Sequence, residues 1–127
     1  MELKVSDFVT AHYKTGKYIG EITSVGEHSY LIRVLAVLKH PTQGDLHNPK
    51  EADVMLFHTR RALAYREQTN VPKNMVKLYE EDIPNYMDSL KAAVMTLKEQ
   101  LTSDDSAWHR RSLEAINELE ADYFKEQ

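Results

Sequence analysis

The stretch His40-Pro-Thr-Gln-Gly-Asp45-Leu-His47, with His58 a little beyond, holds the residue types of this chain best suited to chemistry. Imidazole and carboxylate together are a ligand set for zinc or another transition metal. The spacing matches no metal motif, and the chain contains neither HExxH nor a paired Cys/His set. The stretch is therefore read as a polar Ω-type loop whose histidines and Asp45 bond to its own backbone, with no metal and no cofactor.

Two further groups of residues suit contact rather than catalysis. Lys14, Lys17, Arg33, Lys39, Arg60, Arg61, Arg66, Lys73 and Lys77 are interleaved with Tyr13, Tyr18, Tyr30 and Tyr65. A basic groove lined by stacking rings is how small barrels hold RNA or single-stranded DNA. The charge is too small for that role: up to Tyr79, eleven Lys/Arg face eight Asp/Glu, a net of +3. Core tyrosines and solvated lysines are the favoured reading, and nucleic-acid binding is kept as the alternative function. Near the C-terminus Glu114, Glu118, Asp122 and Glu126 recur every four residues and stack on one helix face. Each like-charged pair at that spacing costs about 0.2–0.5 kcal/mol. The ridge is read as a solvated face that could dock on Arg60-Arg61 or on a partner. Catalysis finds no support: GxSxG and a phosphate-cradling glycine loop are both absent, and only four glycines occur in all.

The elements that position these residues change period near residue 80. Before it the pattern is that of strands: Phe8–Tyr13, residues 18–25, Ser29–Lys39, 54–58, 62–66 and a closing segment at 75–79, with residues 69–72 read as a turn. In Ser29–Lys39, Tyr30, Ile32, Val34, Ala36 and Leu38 share one face. Leu31, Leu35 and Val37 flank Arg33 on the other, so the strand is central or strongly bent. Residues 40–53, with Pro41, Gly44, Asn48 and Pro49, form a long ordered loop. Short strands with tight turns predict a small, curved barrel of the Src-homology-3-like type, closed so that no edge stays exposed.

Beyond Tyr79 the pattern is helical. Met87, Leu90, Val94, Leu97 and Leu101 form a stripe at spacings of 3 and 4. Residues 102–105 cap a second helix that turns Trp108, Ala115, Ile116, Leu119 and Tyr123 inward. The short connection implies an antiparallel hairpin. The fold class is therefore α+β: a barrel over residues 1–79, then a helical hairpin over 80–127. Trp108, Leu113 and Phe124 cannot all fit one seam, so they meet the barrel or a second copy of the chain in a homodimer.

Composition narrows the class. Among the 127 residues, 42% are apolar and 28% charged, as in an ordinary soluble protein. The absence of cysteine excludes disulfides and thiolate chemistry within these residues. Residues 1–7 lack a signal-like apolar run, and no stretch approaches the ~20 apolar residues of a membrane span. The expected compartment is the cytoplasm.

Three stretches carry a family resemblance: Tyr13-Lys-Thr-Gly-Lys-Tyr-Ile-Gly-Glu-Ile22, Val34-Leu-Ala-Val-Leu-Lys-His-Pro-Thr-Gln-Gly-Asp-Leu-His-Asn-Pro49 and Ala62-Leu-Ala-Tyr-Arg-Glu-Gln-Thr-Asn-Val-Pro-Lys-Asn-Met-Val-Lys77. Together they resemble kinase-associated protein B of Bacillus-type bacteria. The resemblance implies a regulatory accessory protein that supports a membrane-bound sensor histidine kinase feeding the sporulation phosphorelay, without catalysis of its own. Some members are described as lipoproteins; without cysteine the thioether-linked lipid has no attachment point here, so membrane association is expected to run through the kinase. The expected partner-contact residues are His40, Gln43, Asp45, His47, Arg60, Arg61, Glu118 and Asp122, with the 40–49 loop and Arg60-Arg61 exposed.

Overall fold

Strand β1 (Phe8–Tyr13) passes into β2 (Gly16–Val25) through Lys14 and Thr15 alone. Lys14 takes the positive φ, 53°, that tight hairpin turns of the primed types use. This computed structural model describes residues 2–44, 59–103 and 106–125. A second turn, closed by Gly26 N–H donating to Ser29 O over 2.9 Å, leads into β3 (Ser29–Lys39). Next come β4 (Gln68–Pro72), one 3-10 turn (Lys73–Met75) and β5 (Val76–Leu78).

The five strands form one antiparallel sheet in the order β4-β3-β2-β1-β5. The two edge strands are consecutive in the chain, with only Lys73–Met75 between them. Three residues reach at most about 10 Å, so the sheet must curl until its edges approach. The edges do not pair with each other, so the expected barrel is strongly curled but open. Curling comes from β2 and β3, whose register shifts between Lys17 and Tyr18, between Ile19 and Gly20, and between Ile22 and Ser24. These shifts re-aim the side chains of β3. Val37 is buried, whereas Leu38, expected on the face of Tyr30 and Ile32, is exposed.

Two strand expectations are corrected. Residues 62–66 are not a strand, and the residues read as a turn belong to β4. Pro72 ends that edge strand, where a missing N–H costs no ladder bond. The strand expected at 54–58 lies outside the described residues.

Helix α1 (Tyr86–Thr102) starts at Asn85, whose side chain accepts from Asp88 N, and α2 (Ala107–Tyr123) starts at Ser106, which accepts from His109 N. The cap of α2 is thus Ser106, one residue beyond the expected segment. Lys91 lies over the Phe124 ring and Lys98 pairs with Glu120 at 2.8 Å, so the helices run antiparallel. Val9, Ala11, Ile22, Tyr30, Ile32, Val71 and Val76 fill the curl of the sheet. A second cluster joins sheet to hairpin: Tyr18, Val34, Val37 and Ala62 meet Leu90, Val94, Leu97, Trp108, Ile116 and Leu119. Each such large side chain contributes about 1.5–3 kcal/mol by leaving water. Leu113 and Phe124 pack partly buried against the same cluster as Trp108.

Candidate functional site at the seam between sheet and hairpin

Residues 59–64 run between the sheet and the hairpin without a ladder of their own, yet their backbone needs hydrogen-bond partners. Side chains supply them. Gln43 grips Arg60 at both ends: Arg60 N–H donates to Gln43 Oε1, and Gln43 Nε2 donates to Arg60 O, each over 2.9 Å. Ala62 N–H donates to Tyr123 Oη at 2.9 Å, and Leu63 N–H to Tyr18 Oη at 3.3 Å. Tyr86 Oη donates to Leu63 O at 2.6 Å. Three tyrosines, from β2, α1 and α2, thus hold one strap. Within residues 62–66, read as a strand, Ala62 and Leu63 pair with tyrosine hydroxyls, whereas residues 65–66 form a turn in which Arg66 takes a positive φ of 68° and donates to Val34 O of β3 at 2.7 Å.

His40 is part of the same lock. Its Nδ1 lies 3.0 Å from Pro41 O, which can only accept, so Nδ1 carries the proton. Neutral Nε2 then accepts from Tyr123 Oη at 2.9 Å. Burial holds the imidazole below its ordinary pKa, with nearby Arg61 pushing the same way and the bond to Pro41 opposing both. Burial likewise raises the phenols: Tyr18 to about 12, with Tyr86 and Tyr123 also above their usual value. With these proton positions, neither ring nitrogen of His40 has a lone pair to offer a substrate.

The expectation of an exposed 40–49 loop is therefore corrected for its described part. His40 is 1% exposed and Gln43 3%, because both side chains turn inward to satisfy backbone. Asp45 and His47 lie outside the described residues, as does Glu126 of the acidic ridge. Arg60 is half-buried and donates through Nε to Gly44 O at 3.2 Å. Arg61 is exposed and pairs with Asp122 at 2.8 Å while stacking 4.9 Å from the Tyr123 ring centroid. That contact joins the acidic ridge to Arg61 of the same chain, and together with Lys125 it draws the Asp122 carboxyl below its usual pKa. Both partners are about half exposed, so the pair orients more than it stabilises. Glu118 and Glu114 stay exposed on the ridge.

Sequence reasoning did not foresee the roles of Tyr18, Tyr86 and Tyr123; the only signal was a tyrosine in each element that meets the strap. The stacking surface weighed for nucleic acid is not assembled. Tyr18 and Tyr30 are buried, and Lys73 lies over the Tyr30 ring and Lys14 over Tyr13. Lys14, Arg60, Arg61 and Tyr13 do share a recess of about 310 Å³, with Glu67 on its wall. Among the described residues no group of three or more His, Asp or Glu stands close enough to hold a metal ion, and no helix is long and apolar enough to cross a membrane.

The chain is similar in sequence to the kinase-associated lipoprotein B of Bacillus subtilis (strain 168), with 50% identity over 121 residues, covering 95% of this chain and 94% of the relative. Its fold is similar to the X-ray crystal structure of kinase-associated protein B from Bacillus cereus, with a TM-score of 0.82, 46% identity, and coverage of 96% and 98% of the two chains. The sequence model of the family described as kinase associated protein B matches residues 13–124, a span that contains the strap, its three tyrosines and both helices. The chain belongs to the kinase-associated protein B family.

Proposed function

We propose that this chain is a non-catalytic accessory protein that supports activation of a sensor histidine kinase in the sporulation phosphorelay through protein–protein contacts. The observation behind the reading is the state of the polar groups at the seam. His40, Gln43, Tyr18, Tyr86 and Tyr123 commit their hydrogen-bonding atoms to the chain's own backbone and to one another. What faces outward is charge, carried by Arg61, Asp122 and Glu118, with half-buried Arg60 beside them. Fixed charge on a rigid surface suits recognition and orientation of a partner. Kinase association is taken from the names of the family and of the relatives. In this reading the chain works on the cytoplasmic side of the membrane and is held there by contact with the kinase.

Affinity capture with the tagged chain from sporulating cells tests this. A sensor kinase enriched over a tag-only control, and released by Glu118→Lys or Arg61→Glu in a salt-dependent way, is the expected result. Recovery of no kinase subunit, or turnover of a substrate by the purified chain, would overturn it.

A further inference from the structure

A second surface adjoins the seam. Tyr86 and Met87, which border the recess containing Arg61 and Asp122, also border an apolar groove of about 660 Å³. Its walls come from Phe8 on β1, Leu35 on β3, Tyr65, Ile83, Pro84 and Met87. Phe8 is 42% exposed and Tyr65 53%, high values for large apolar side chains that contribute little to either core cluster. In its floor the Tyr65 and Tyr86 rings stand 5.7 Å apart, and the Tyr86 hydroxyl is tied to Leu63 O. A preformed apolar groove next to polar surface is the usual form of a peptide-docking site.

Charge identifies the occupant. Residues 83–87 line one wall, and the chain on either side of them carries Glu80, Glu81, Asp82 and Asp88, all exposed, and no Lys or Arg over residues 79–88. On the sheet side Glu21 stands opposite Phe8 in the register and pairs with Arg33 at 3.7 Å; exposed Arg66, next to Tyr65, and Lys77 on β5 are outnumbered by the four carboxylates flanking the other wall. An acidic rim repels nucleic acid and anionic lipid. It also repels a second copy, which would bring the same carboxylates to the contact. Resting on the reading of this chain as a protein-contact accessory, we propose that the Phe8–Tyr65–Met87 groove docks an amphipathic segment of a partner protein that seats apolar side chains and flanks them with Lys or Arg.

Fluorescence anisotropy with a labelled amphipathic Leu/Lys helix, set against its Leu/Glu counterpart, tests the assignment on the full chain. The Leu/Lys peptide is expected to bind at least about tenfold tighter. Phe8→Ser/Tyr65→Ser should weaken it about tenfold, as should Glu80→Lys/Glu81→Lys/Asp82→Lys, whereas Met95→Ser, at an exposed site elsewhere on α1, should not. The substituted positions are exposed, and unchanged thermal melts will show that the variants fold. Equal affinity for the two peptides, or wild-type affinity in both groove variants, would refute the proposal. A dimer in sedimentation that dissociates with Phe8→Ser/Tyr65→Ser would also refute it, by making a second copy the occupant. The assay contains no kinase, so peptide binding alongside a failed kinase capture would reject the kinase assignment and leave the groove standing.

Discussion

The Tyr123 hydroxyl donates to His40 Nε2 over 2.9 Å, a bond between residues 83 positions apart that ties the end of α2 to the end of β3. The same oxygen accepts from Ala62 N–H, so one phenol joins helix, sheet and strap. Tyr123→Phe keeps the ring but leaves a backbone N–H and an imidazole nitrogen unpartnered at a largely buried site. The expected loss is about 1–3 kcal/mol, read as a lower urea midpoint with an unchanged m-value.

Stability should depend on pH through His40. Its folded pKa is held below the ordinary value of 6.5, so as pH falls below about 6.5 the unfolded chain takes up a proton that the folded chain refuses. This contribution is complete above the unfolded pKa and is lost as pH drops toward the folded one, with a slope of at most about 1.4 kcal/mol per pH unit. Urea titrations between pH 7.5 and about pH 5 should show His40→Gln losing that part of the slope. A variant as pH-dependent as the wild type would assign the effect to other histidines.

Ser112, fully buried in α2, has a hydroxyl oxygen without a hydrogen-bond partner, the only such buried side-chain atom among the described residues. Removing an orphaned hydroxyl from an apolar setting and raising helix propensity act in the same direction. Ser112→Ala should stabilise the chain by about 1 kcal/mol, detectable as a higher melting temperature.

Gly20 sits where β2 crosses β3 at a register shift. A methyl group there would lie 2.4 Å from Ile32 Cγ2 and 2.6 Å from the Arg33 carbonyl oxygen. Backbone cannot yield as a flexible side chain does, so Gly20→Ala should cost about 1–3 kcal/mol. Calorimetry would register the loss, and a neutral result would show that the β2–β3 crossing can spread.

Strands β1 and β3 were legible to the residue because alternation and turn residues bound both of them. The helical stripe was legible too, as Leu90, Val94, Leu97 and Leu101 are all buried. Failures arose where tertiary partners replaced local ones. Residues 62–66 read as a strand, but no pattern announces that Ala62 and Leu63 will pair with Tyr18, Tyr86 and Tyr123 and that a turn follows at 65–66. His40 and Gln43 look like surface loop residues because they are polar beside proline. They point inward because a strap crossing a core must have its N–H and C=O groups met. The shift that exposes Leu38 follows from bulges, which leave no mark in a single sequence.

The clasp of residues 59–64 by hydroxyls from β2, α1 and α2 also sets an order of events during synthesis. Tyr18 precedes the strap in the chain, whereas Tyr86 and Tyr123 follow it and emerge from the ribosome later. Until then Ala62 N–H and Leu63 O have only water. The strap locks only once Tyr123 has been made, so any surface built on Arg61 matures after the strands of the sheet have been synthesised.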